Sequence, residues 1–186
     1  MRKLLVTLLA AAGLFAAGQA SAQCPDLPPI GTPFTCYFVN GTKVVTLPGG
    51  PVPSGSSGSA TVYVVGHNTN PCEAILSPEQ FSSTGEGRLG KLSSSLAPGS
   101  PVSRLTGSNT RLFPANLELN LNLQVSASSL NGTFVSQGPL TLRATGIRRL
   151  PLKDVDVKQE GELKLVNEKG ESIGLSNVAV RLGPPQ

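Results

Sequence analysis

The amino-acid sequence predicts an all-β fold, an antiparallel β-sandwich of the Greek-key or Ig-like kind with at most one short helix. Two observations carry that expectation. Short β-rich runs recur with turn residues between them, in a chain rich in Gly (21) and Pro (16) and without Trp. The second is the segment Asn116 to Ser126. Leu117, Leu119, Leu121, Leu123 and Val125 alternate there without a slip against Glu118, Asn120, Asn122, Gln124 and Ser126. Period-two alternation gives one aliphatic and one amide-rich face, as a sheet needs when one side meets a core and the other meets water.

The chain opens on a leader. Met1-Arg2-Lys3 carries two positive charges, Leu4 to Ala17 is an uncharged run of apolar and small residues, and Ala20-Ser21-Ala22 supplies an A-x-A exit. A basic start, a short apolar run and small residues at the end describe a signal peptide over residues 1–22. A bilayer span needs about 20 apolar residues, so this run is too short for one. The expected mature chain, 23–186, is a single domain of 164 residues, large enough for its own core. Arg2 and Lys3 account for two of the four net positive charges, leaving +2. Such a balance excludes the one-sided basic stripe that nucleic acid requires. The expected setting is secreted or periplasmic, with no integral membrane span in the mature chain.

Within that domain the strands read in order. Thr35–Val39 and Thr42–Leu47 flank Asn40-Gly41, which predicts a type I′ hairpin. Pro48 to Ser59 is low-complexity and reads as a flexible loop. Ala60–Val65 is a strand. Ser77-Pro78-Glu79-Gln80 has the form of a helix start, and the rest of 66–100 reads as loop. Later strands fall at 101–106, 116–126, 133–137, 140–147, 152–158, 162–166 and 178–182, with Asn167 to Gly170 closing a second hairpin. An outer-membrane barrel of eight strands fits less well, because the few aromatics cluster early instead of forming two girdles.

Candidate chemistry is sparse. Cys24, Cys36 and Cys72 predict one disulfide and one odd thiol, and the pairing stays open. Gly85-Glu86-Gly87-Arg88-Leu89-Gly90-Lys91 mimics a phosphate loop but lacks the buried strand before it and a helix after it. His67, the lone histidine, stands five residues before Cys72 and reads as a polar loop residue. Asp154, Asp156, Glu160 and Glu162 interleave with Lys153, Lys158 and Lys164, which predicts a solvated face with cross-strand ion pairs. Arg148-Arg149 forms at most a small anion patch. The expectation is therefore a non-enzymatic protein with no catalytic, metal or cofactor residues and a binding or structural role in the envelope or extracellular space. Its partner would be an envelope or extracellular molecule or a second copy, meeting the exposed edge of 116–126. The alternatives are a carrier whose leucine face lines a cavity for an apolar ligand such as a lipid, and a hydrolase using Asp154, Asp156 or Glu160.

Overall fold

A computed structural model describes residues 24–183, so the leader expected over 1–22 lies outside the described residues. The described chain is all-β and antiparallel. Its strands are β1 (Pro33–Leu47), β2 (Gly50–Thr69), β3 (Cys72–Gly87), β4 (Gly90–Leu96), β5 (Ser103–Thr106), β6 (Ala115–Leu121), β7 (Leu123–Ala127), β8 (Phe134–Ser136), β9 (Leu140–Ile147), β10 (Val155–Gln159), β11 (Leu163–Val166) and β12 (Ser172–Gly183). All twelve belong to one hydrogen-bonded sheet, so any two facing layers are parts of the same sheet.

Pairing organises that sheet into two closed circuits that share β12, β1, β2 and β3. The first runs β1-β2-β3-β5-β6-β9-β10-β12 and back to β1. The second runs β1-β2-β3-β4-β7-β8-β11-β12 and again back to β1. Each long strand divides its length between them. β3 pairs with β5 through 73–76 and with β4 through 82–87, and β12 pairs with β11 through 172–175 and with β10 through 179–182. The eight short strands close one circuit or the other. Every strand therefore has at least two neighbours, and the edge expected at 116–126 is paired on both sides. A sheet closed on itself presents no free row of donors for a second copy to extend.

Between circuits the chain crosses at 97–102, at Asn122, at 137–139 and at 160–162. Backbone bonds stitch these crossings together. Ala97 donates to the Asn122 carbonyl at 2.7 Å, Gln137 to Lys164 at 2.9 Å and Glu160 to Thr141 at 3.0 Å. The run 116–126 is thus not one strand but two, β6 and β7, broken where Asn122 changes partners. Its leucines all face the core, as the alternation predicts. Its amides are less wet than expected: Asn120 is buried, donating to the Val102 carbonyl and accepting from Thr141.

Three local expectations are corrected. Asn40-Gly41 makes no turn; β1 runs straight through it. Asn40 takes the left-handed conformation (φ 50°), and the register against both neighbours slips there, so the tolerance for positive φ serves a bulge. The hairpin turn is Pro48-Gly49, and residues 50–59, expected as a flexible loop, are the first half of β2. Ser77 to Gln80 lies in β3, not at a helix start, and most of 66–100 is strand. Small residues explain why these Gly- and Ser-rich segments pair. A Cβ at Gly58 would overlap the Ser82 carbonyl, and one at Gly85 would overlap the Gly55 carbonyl. Only glycine lets the backbones approach that closely. Gly58→Ala should accordingly cost about 1–3 kcal/mol in urea unfolding. Gly55→Ala, where an added Cβ meets nothing within 4 Å, should cost under about 0.5 kcal/mol. Equal losses would contradict the close-approach account.

Candidate functional site

The residues that looked chemical in the sequence are mostly structural. Cys24 is bonded to Cys72, tying the N-terminal segment to the start of β3. His67 donates from Nε2 to the Pro28 carbonyl at 2.7 Å and so pins the same segment. With Cys72 oxidised and His67 engaged, the pair is not an activated thiolate. Gly85 to Lys91 is the β3–β4 hairpin, with strand on both sides and no helix terminus to receive phosphate.

The carboxylates flanking β10 do not converge. Asp154 approaches Arg181 at 3.9 Å, whereas Glu160 pairs with Arg143 at 2.9 Å, and Arg143 also holds Glu118. All are solvent-accessible pairs of small energetic weight, only Glu118–Arg143 joining strand to strand, with arginines as partners in place of the lysines between them in sequence. Among the described residues no group of three or more His, Cys, Asp or Glu is placed to hold a metal. A better-built pair went unnoticed in the sequence. Glu73, buried beside the disulfide, accepts from Arg104 at 2.6 Å, Asn68 at 2.8 Å and Thr106 at 3.1 Å, locking β2, β3 and β5 together.

Unassigned chemistry lies inside the circuits. The first encloses a cavity of about 20 Å³ lined only by apolar side chains, among them Cys36, Leu76, Leu105, Leu117 and Leu119. Leu150 and Leu152 close it, and they come from the β9–β10 connection, not from a strand. Arg148, Arg149 and Lys153 of that connection are exposed around them. The free Cys36 thiol faces this interior, as its place between Phe34 and Phe38 predicts, and burial pushes its pKa up to about 11.

A second cavity of about 20 Å³ lies where the circuits meet, walled by the shared strands β1, β2, β3 and β12, by β4 and β7 of the second circuit and by β9 of the first. Leu123, Leu140, Leu142 and Leu175 make it apolar, but Lys43 points into it from β1 with Ser56, Ser83 and Ser94 beside it. Lys43 is only 3% exposed. Its Nζ donates to Ser83 Oγ at 3.4 Å, and the Ser56 and Ser83 hydroxyls are 3.1 Å apart. No carboxylate lines this cavity. Burial lowers the Lys43 pKa from 10.5 to about 8, since an ammonium removed from water without a counter-ion loses its hydration energy. Nothing in the sequence singled Lys43 out. The available signal was a lysine on the inward parity of β1, two residues before the core residue Val45.

No family model and no curated protein matches the chain. One solved structure does. DynF from the dynemicin biosynthesis pathway of Micromonospora chersina superposes with a TM-score of 0.72 at 14% identity, covering 95% of this chain and 92% of its own. At that identity the likeness is one of fold, and it extends over nearly the whole chain.

Two outcomes follow from these interiors. Lys43 holds fewer protons when folded than when unfolded between about pH 8 and 10.5, so its burial penalty is full below pH 8 and disappears as pH rises through that window. Lys43→Met should therefore be more stable than the parent at pH 7 by about 3 kcal/mol, with the gap closing by pH 10.5. Comparing the two chains by urea titration cancels the opposite drift from Cys36, whose raised pKa removes stability above pH 9. In the folded protein at pH 8, Cys36 should resist a thiol reagent such as dithionitrobenzoate and react only after denaturation. Rapid labelling of the native form would place the thiol elsewhere.

Proposed function

We propose that the protein is an exported, non-enzymatic carrier that takes an apolar molecule into the first circuit. The observation that carries this reading is the wholly apolar cavity closed by Leu150 and Leu152 of a connection instead of by strands. Its volume, about 20 Å³, is room for roughly one water, so a ligand enters by displacing that plug. The β9–β10 connection is the part of the wall able to move without breaking the sheet ladder. Its basic residues Arg148, Arg149 and Lys153 stand at the entrance. Export is supported by the A-x-A leader and by the Cys24–Cys72 disulfide, a bond that persists in oxidising compartments. A non-catalytic role fits Asp154 and Glu160 facing arginines and a histidine committed to a carbonyl. Assembly through a sheet edge has less support, because both circuits are closed.

Nile red fluorescence tests the reading. Delipidated protein should bind the dye, and Leu150→Asp, which puts a charge at the plug, should weaken binding at least about tenfold. Native mass spectrometry of protein from its own host should show a co-purifying apolar mass. A preparation that emerges clean and leaves the dye unbound would end the carrier reading.

A further inference from the structure

The Lys43 cavity supports a separate inference, because it shares no wall residue with the cavity of the first circuit. We infer that Lys43 anchors the carboxylate of an apolar acid, with its Nζ and the hydroxyls of Ser56 and Ser83 around the head and Leu and Val side chains around the hydrocarbon. Three features point there. An ammonium buried this deeply is costly unless something compensates it, and here one long bond to a hydroxyl is its whole complement of side-chain partners. The three serines turn hydroxyls inward at a depth where β-sheet interiors are otherwise aliphatic, and each supplies an O–H that a carboxylate accepts. Beyond the head site the wall is hydrocarbon, with Leu123, Leu140, Leu142 and Leu175 buried.

The charge logic selects an anion. At neutral pH the amine is largely protonated even with its lowered pKa, and the lining residues carry no other titratable group. A neutral apolar ligand would leave the ammonium as badly solvated as before. A carboxylate would neutralise it in place, and a pair formed in a dry site is stronger than one in water. Phe81 marks the way in. It is the one lining residue that is not fully buried, and it leans on Phe38 with ring centroids 5.7 Å apart. The cavity of about 20 Å³ holds little more than a head-group oxygen, so the hydrocarbon is accommodated by movement of the Phe81 ring.

Calorimetric titration with octanoate and dodecanoate, against octanol and dodecanol as neutral counterparts, tests this at pH 7. In the parent chain the acid should bind at least about tenfold more tightly than the alcohol of equal length, as a buried charge pair warrants. Lys43→Met should abolish that preference, and its raised thermal midpoint shows that it is folded. Phe81→Ala should favour the longer acid over the shorter. Carbon-13 shifts of the Lys43 side chain should show its titration moving upward when octanoate is bound. Equal binding of acid and alcohol by the parent, or an undiminished acid preference in Lys43→Met, would overturn the assignment. So would the absence of any acid binding, whether or not Leu150→Asp affects Nile red in the first circuit.

Discussion

Everything in this architecture depends on backbone hydrogen bonding that never runs out of partners. Four long strands, β12, β1, β2 and β3, pair among themselves and then with two different sets of short strands, one at each end. Closure of that kind removes sheet edges but demands curvature, and curvature is obtained by local irregularity. β1 bulges at Asn40-Gly41, β2 slips against β3 after Thr61 and again after Val64, and β12 takes a left-handed residue at Asn177. Gln159 bridges the last of these, donating to the Leu175 carbonyl and accepting from the Val178 amide. The polar side chains at the crossings thus do the work that ladder bonds do elsewhere.

Against that regular frame the second interior is an exception. A chain that places an apolar side chain on most inward positions nonetheless retains an ammonium and three hydroxyls around one cavity. Met in place of Lys43 would fill similar volume without the desolvation penalty. Groups whose surroundings oppose their charge concentrate where binding or chemistry needs them, which sets Lys43 apart from the well-compensated Glu73.

What was legible in the sequence follows the same division. The first circuit shows strict alternation in the chain, because its strands have a dry face and a wet one; Leu140 to Ile147 is a strand to the residue, and Leu117, Leu119 and Leu121 are all buried. Residues 50–59 and 82–95 form the second circuit's wall, and they carry hydroxyls on both faces. Ser54, Ser56, Ser83 and Ser94 are buried, while Ser57, Thr84 and Ser95 are exposed. Binary patterning has nothing to report when inside and outside are equally polar, so strand reads as loop. The candidate site was hidden for the same reason, since a buried lysine among serines looks like surface. Asn40-Gly41 misled differently. Its positive-φ tolerance is compatible with a turn or a bulge, and only the partner strands on both sides decide between them. The disulfide lay beyond local reasoning altogether, because Cys24 and Cys72 meet only through the fold.

β12 has a consequence for how the chain reaches this state. It is the last strand in the described sequence, yet neither circuit closes without it, since it joins β1 to β10 in one and to β11 in the other. A polypeptide emerging N-terminus first can form the β1–β2–β3 meander early but must hold both hydrocarbon interiors open to water until residue 172 arrives. Partnerships between the first strand and the last lie far apart in sequence, the situation that slows folding most. During that wait the nascent chain shows to water the hydrocarbon that its finished shape hides, the circumstance in which aggregation competes with folding.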